Sequence, residues 1–131
     1  MEIRQTRVVI RAKNFDRTCK FYATSLALPQ VGDWEGSVSR GARFQAGGAV
    51  IEVQRRPEGL DPRAYDEAFD YQGPSHKMIV ELAVPSAEGA YQEMLFRDKN
   101  IPGGLRTDDR GRLLFETRDP DGVRILCIEE A

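Results

Sequence analysis

The chain has 131 residues, 40% hydrophobic and 31% charged, with a formal net charge of −2, which predicts a single folded domain over residues 1–131 and excludes a fibrous or disordered chain. Positive and negative residues are interspersed, so we expect no nucleic-acid partner. No apolar run approaches the roughly 20 residues that a membrane helix needs, and no apolar stretch of signal-peptide type begins the chain, so we expect a cytoplasmic protein without a membrane partner.

The first half of the chain predicts a strand, a helix and a run of further strands. After the first strand, Asn14 or Asp16 can cap a helix, and Pro29 cannot continue that helix. Gly47-Gly48 is a strong signal for a hairpin between the last two strands. The predicted strands are Thr6–Lys13, Gln30–Glu35, Arg40–Ala46 and Ala49–Arg55.

The second half of the chain repeats this order. Ser86 is a good N-cap for a helix that runs to about Asp98. Asp119–Gly122 has the proline and the glycine of a tight turn between two strands. The predicted strands here are Met78–Val84, Arg112–Arg118 and Val123–Glu129.

The chain therefore contains two similar modules, residues 1–55 and 78–131, joined by a linker of residues 56–77. A repeated unit usually needs its copy to bury its apolar face. With two copies, the groove that they make together is the natural place for a site.

Two cysteines and one histidine are candidates for nucleophilic chemistry. Cys19 lies in the predicted first helix and Cys127 in the last strand, both among apolar neighbours, so we interpret them as reduced core thiols. His76 precedes a different strand, and nothing in the sequence ties it to either thiol.

Several short motifs resemble those of one known superfamily. They are Lys13-Asn14-Phe15-Asp16 after the first strand, Phe21-Tyr22 in the first helix, and Arg118-Asp119-Pro120-Asp121-Gly122 before the last strand. Together with the repeated plan, they resemble the vicinal oxygen chelate superfamily, which contains glyoxalase I, bleomycin-resistance proteins and extradiol dioxygenases. The resemblance implies an α+β fold of two βαβββ modules forming a cup-shaped mixed sheet, usually in a homodimer.

Metal-using members of that superfamily place ligands at four positions, which fall here on Arg7, Glu52, Ile79 and Leu126. Of these only Glu52 is a plausible ligand, because an arginine is not usefully deprotonated and the other two side chains have no donor atoms. A catalytic metal usually has three protein ligands, so we expect no metal and no cofactor. A site made by Glu52 and His76 is a weaker alternative, because His76 lies an odd number of residues before Ile79 and so on the other face or off the strand end.

In the resembled fold the ligand positions face the cup, and side chains alternate along a strand. Arg7, Val9 and Arg11 would then face the cup, while Val8, Ile10 and Ala12 would face the helix. Trp34 lies where the family's second strand lines the cup. The candidate ligand-binding residues are Arg7, Arg11, Trp34, Glu52, Glu81, Arg124 and Leu126.

These residues support three interpretations. Arg7–Glu52 and Arg11–Glu81 could be ion pairs that close a degenerate site. An arginine could instead bind a ligand carboxylate or phosphate while a glutamate orients it. Glu52 or Glu81 could also be a general base whose pKa is raised by burial. Trp34 could stack on a planar ligand, or belong to the core or a dimer surface.

We therefore predict a metal-free member of the superfamily that binds a small organic ligand in the cup, as the antibiotic-sequestering branch does, and that forms a homodimer. The alternative is a metal-dependent lyase, isomerase or dioxygenase. A third possibility is a protein whose cup is filled by its own side chains. Binding of a ligand would raise the melting temperature, which distinguishes the first from the third.

Overall fold

The computed structural model of the protein describes residues 2–36, 40–55, 79–97 and 101–130. The chain divides into two compact units, Met1–Asp70 and Tyr71–Ala131, and the boundary between them falls inside the predicted linker. The predicted linker 56–77, and His76 with it, lies outside the described residues.

The first unit contains a four-stranded mixed sheet within its described residues, in the order β1-β4-β3-β2. β1 runs parallel to β4, and the other neighbours are antiparallel. Helix α1 continues without a break into one π-helical turn, Phe21–Ser25, which ends before Pro29. The elements are β1 (Thr6–Ala12), α1 (Phe15–Lys20), β2 (Gln30–Glu35), β3 (Arg40–Ala46) and β4 (Ala49–Arg55).

The second unit has the same arrangement in its described residues, with the strand order β5-β8-β7-β6 and a parallel β5–β8 pair. The short strand β6 was not predicted, because two residues carry no period that the sequence could show. The elements are β5 (Val80–Val84), α2 (Ala87–Arg97), β6 (Arg106–Thr107), β7 (Leu113–Arg118) and β8 (Arg124–Glu129). The prediction of an α+β fold with two related modules is confirmed.

Local hydrogen bonds explain where the helices and the last strand begin. The side chain of Asn14 accepts a hydrogen bond from the backbone N–H of Arg17 at 3.0 Å, and Ser86 Oγ accepts one from Gly89 at 3.0 Å. Both are N-caps of the predicted kind. The carboxylate of Asp119 accepts from the N–H of Val123 at 2.8 Å, so Val123 belongs to the turn and β8 begins one residue later than predicted.

Each sheet packs one face against its helix. In the first unit Ile10 and Ala12 are buried while Arg7 and Arg11 are exposed, which is the predicted alternation along β1. Aromatic contacts join helix to sheet in the same way in both units, between Tyr22 and Phe44 and between Tyr91 and Phe115. We call the opposite side of each sheet its helix-free face. This face carries the charged residues considered next.

Candidate functional site

Glu52 on β4 is a buried carboxylate on the helix-free face of the first sheet, with 5% of its surface exposed. Arg43 lies directly opposite it on β3, and Arg43 Nε donates to Glu52 Oε1 at 2.7 Å. Gln54 Nε2 donates to the other oxygen, Oε2, at 2.7 Å. Both oxygens of this carboxylate are therefore engaged by the protein's own side chains.

These contacts decide the protonation of Glu52. Burial alone raises the pKa of a carboxyl group, but the hydrogen bonds from Arg43 and Gln54 and the charges of Arg43 and Arg7 outweigh it, so the pKa of Glu52 lies below its ordinary value. The hypothesis of a general base with a raised pKa is therefore wrong for Glu52. A carboxylate held in this way is a weak base near neutral pH.

Trp34 lies above Gly41, its direct neighbour across the β2–β3 ladder. A Cβ added at Gly41 would lie 2.0 Å from the indole ring, so only glycine leaves room for Trp34 in this position. The guanidinium carbon of Arg43 is 5.4 Å from the centre of the indole. Trp34, Arg43 and Glu52 thus form a continuous row across three strands, held by a cation–π contact and an ion pair.

A cavity of about 430 Å³ lies along β2 beside Trp34 and reaches the first helix at Phe15 and Cys19. Arg40 stands over the Phe15 ring at 4.7 Å from its centre. Burial, together with the charge of Asp16, raises the pKa of the Cys19 thiol to about 11 against the opposing charge of Arg40. The cavity therefore holds a protonated thiol and not a thiolate nucleophile.

Arg7 and Arg11 are exposed on β1, on the same side of the sheet as Glu52. Arg7 is opposite Val50, and its Nε donates to Gln5 at 2.6 Å. The ion-pair partner of Glu52 is Arg43 and not Arg7 as predicted, because the hairpin between β3 and β4 places Arg43 opposite Glu52. Arg7 contributes to the site through its charge.

The helix-free face of the second sheet contains Glu81 and Leu126, which are paired across β5 and β8. The side chain of Glu81 is half-exposed and lies 3.7 Å from Arg112, which also pairs with Asp108 at 2.9 Å. Leu126 is buried in a small apolar cluster with Leu114 and Ile128. Burial alternates along β5 as predicted, whereas residues 125–128 of β8 are buried on both faces, so the face of Leu126 follows from its pairing with Glu81.

Arg124 belongs to a charge cluster that the sequence analysis did not find. Its Nη2 and Nε donate to Oε1 of the buried Glu116 at 2.7 and 3.2 Å. Arg118 Nε donates to the other oxygen of Glu116 at 3.2 Å, and Arg106 Nη2 lies 3.6 Å from Oε1. Burial raises the pKa of Glu116, but the hydrogen bonds and charges of Arg124 and Arg118 outweigh it and hold that pKa below its ordinary value.

Two signals in the sequence could have located the missed residues. A two-residue Gly47-Gly48 turn sets Ala46 opposite Ala49, and counting back along the hairpin places Arg43 opposite Glu52. Glu116 lies two residues before Arg118 and therefore on the same face of its strand. Its contact with Arg106 had no such signal, because β6 was not predicted.

The residues present do not fit the metal site that the resemblance implies. Ile79 and Leu126 offer no donor atoms, and Glu52 is already bonded through both oxygens. Within the described ranges no group of three or more His, Cys, Asp or Glu residues could hold a metal ion.

Neither described helix is long and apolar enough to cross a membrane.

One family model matches this chain, and solved structures of low sequence identity share its fold. The model of the Glyoxalase/Bleomycin resistance protein/Dioxygenase superfamily matches residues 4–126. A superfamily member from Sphaerobacter thermophilus DSM 20745 superposes with a TM-score of 0.71 at 18% identity, covering 98% of each chain. A V278E mutant of glyoxalase I from Zea mays gives 0.77 at 17% identity, over 98% of this chain and 45% of that one. A protein of unknown function from Agrobacterium tumefaciens str. C58 gives 0.69 at 18% identity, over 100% and 97%. No curated protein matches the chain.

Proposed function

We propose that this chain, which belongs to the glyoxalase/bleomycin resistance protein/dioxygenase superfamily, binds a small organic ligand at its helix-free faces without a metal ion. The activity is sequestration of the ligand, as in the antibiotic-binding branch of the family. Binding of this kind needs complementary shape and charge but no reacting group.

The observation that carries the proposal is that both carboxylate oxygens of Glu52 already accept hydrogen bonds. It is the one carboxylate at the four positions implied for metal ligands, and Arg43 and Gln54 occupy both of its oxygens at 2.7 Å. A metal would have to displace a charge-assisted hydrogen bond and would find no second acidic ligand at Arg7 or Leu126. A ligand that stacks on Trp34 needs no such displacement.

The proposed binding residues supply both flat apolar contact and charge. Trp34 lies against Gly41 and under the guanidinium of Arg43, and these contacts restrict the indole, so a planar ligand could stack on its remaining surface at little entropic cost. On the second sheet, Leu126 belongs to a buried apolar cluster with Leu114 and Ile128. The charged candidates on these faces are Arg7, Arg11, Glu52, Glu81 and Arg124.

Two measurements test this function. A thermal-shift screen of planar organic compounds of each charge should find ligands that raise the melting temperature, because a ligand that binds only the folded state stabilises it by mass action. Elemental analysis after dialysis, followed by titration with Zn²⁺, Ni²⁺, Mn²⁺ and Fe²⁺, should find no tight site. One equivalent of metal bound with micromolar affinity would instead favour a metal-dependent lyase, isomerase or dioxygenase.

We also propose that the protein is a cytoplasmic homodimer. Among the described residues each sheet ends in edge strands, β1 and β2 in the first unit, which bear exposed apolar residues such as Val9 and Val31. Open edges of this kind are commonly covered by a second copy. Light scattering should give twice the 14.8 kDa monomer mass, and a monomer mass at every concentration would reject the dimer.

A further inference from the structure

One cluster on the helix-free face of the second sheet holds more positive than negative charge. Three guanidiniums, those of Arg106, Arg118 and Arg124, surround the single carboxylate of Glu116 at 2.7 to 3.6 Å. We call this group the arginine triad. One carboxylate neutralises one of these charges, so the cluster keeps an excess of positive charge.

The pairing of the strands makes this excess unusual. Arg118 and Arg124 are directly opposite each other on β7 and β8. Like charges in such cross-strand pairs destabilise a sheet, and here they are held together by one shared anion. A second anion near the same guanidiniums would relieve the remaining repulsion.

The glutamate of the cluster is buried, and its arginines are more exposed. The Glu116 side chain is 5% exposed, whereas the side chains of Arg118 and Arg106 are 37% and 41% exposed. The carboxylate therefore lies at the bottom, and the guanidiniums extend from it toward solvent. A guanidinium has five N–H donors. Glu116 uses a few of those in the triad and the carbonyl of Pro102 accepts one from Arg106 Nη1 at 3.5 Å, so donors are left for another acceptor.

We infer that the arginine triad binds the carboxylate or phosphate group of an anionic organic ligand. This inference rests on the proposed function and deepens it by naming the charge of the ligand and the residues that recognise that charge. Glu116 pre-orients the guanidiniums, and Arg118 and Arg106 donate from the exposed side. Recognition of planar oxyanions by forked guanidiniums is the chemistry for which arginine is best suited.

The experiment compares the wild type with Arg118→Gln and Arg110→Gln. Arg110 is an exposed arginine of the same unit outside the triad, so its variant matches the change in net charge. The probes are inorganic phosphate, phenyl phosphate, benzoate, benzamide and benzylamine, each followed by thermal shift and calorimetric titration at low salt. Phenyl phosphate and benzoate separate the two anionic groups, and the last two probes are the neutral and cationic controls.

We expect the anions to bind the wild type and the Arg110→Gln variant with equal affinity, and Arg118→Gln to lose about tenfold or more, the usual effect of one charge-assisted contact. Added salt should weaken binding. Glu116→Gln removes the competing negative charge but keeps a side-chain oxygen that can accept from the guanidiniums, so anion affinity should rise; a purely structural role would not produce that gain.

Three results would overturn the inference. They are anion binding that Arg118→Gln leaves unchanged, equal binding of benzamide or benzylamine, and no response of the wild type to any anion. The last two leave the proposed function standing if neutral or cationic compounds bind in the wider screen. Absence of binding by compounds of every charge would reject both.

Discussion

The two modules are alike on the side that packs against the helix and different on the other side. Tyr22 contacts Phe44 in the first module as Tyr91 contacts Phe115 in the second. On the helix-free faces the charges are exchanged between strands. The first module pairs an arginine on β3 with a glutamate on β4, and the second pairs a glutamate on β7 with an arginine on β8.

This contrast indicates which face the fold requires and which face is available for function. The helix-facing residues must fill a fixed space at high packing density, so both modules use the same aromatic pair. The charges on the other face are partly exposed and need only satisfy each other. The two modules therefore surround their glutamates differently: Glu52 forms an ion pair with one arginine, Arg43, whereas three arginines lie within 3.6 Å of Glu116.

The largest effects should come from the shared face. Phe44→Ala and Phe115→Ala should each lower the free energy of unfolding by about 3–5 kcal/mol, because each removes a fully buried ring. Urea denaturation followed by circular dichroism measures both. Values that differ by more than a factor of two would show that the two modules do not depend equally on their aromatic contacts.

Replacing the two glutamates should destabilise the protein to different extents. Glu116→Gln should cost about 3 kcal/mol, because it leaves three arginines close together without a counterion. Glu52→Gln should cost less, about 1–2 kcal/mol, since one direct arginine partner is left. Equal losses in urea denaturation would contradict the difference in the number of arginine partners described above.

The position of Trp34 is tested by Gly41→Ala. The added methyl group would collide with the indole, so the variant should lose about 1–3 kcal/mol and shift the fluorescence of this single tryptophan to longer wavelength. Gly48→Ala is the matched control, because no atom of the described residues lies within 4 Å of its added Cβ. Unchanged fluorescence in Gly41→Ala would show that Trp34 does not lie over Gly41.

The smallest effect is a dependence on acid. The pKa values of Glu52 and Glu116 are lowered in the folded protein from the ordinary 4.5. The stability that these groups contribute is therefore complete above pH 4.5 and is lost as the pH falls through their folded pKa values. Between about pH 6 and pH 3, the free energy of unfolding should fall less in Glu52→Gln than in the wild type. The same slope in both would mean that Glu52 is not held by its partners.

Much of the fold could be predicted from the sequence because its signals are local. The structure confirms the predicted bounds of three strands, Gln30–Glu35, Arg40–Ala46 and Ala49–Arg55. Period-two patterns and the Gly47-Gly48 turn depend only on neighbouring residues. The N-caps Asn14 and Ser86 are short-range signals of the same kind. The motifs of the family were also contiguous.

The partners of the charged residues could not be predicted in the same way. The sequence placed Arg7 and Glu52 on one face, but a face holds several residues, and only the register of β3 against β4 selects Arg43 as the partner. The direction of the pKa shift of Glu52 followed from that choice, because burial and hydrogen bonding act in opposite directions.

The sequence by itself therefore determined the two modules, their strands and the inward and outward faces, because alternation and turn chemistry act over a few residues. The tertiary structure alone decided that Arg106, Arg118 and Arg124 gather around Glu116. Those residues come from three strands, and the distances between their side chains depend on pairing and burial, which no local pattern records.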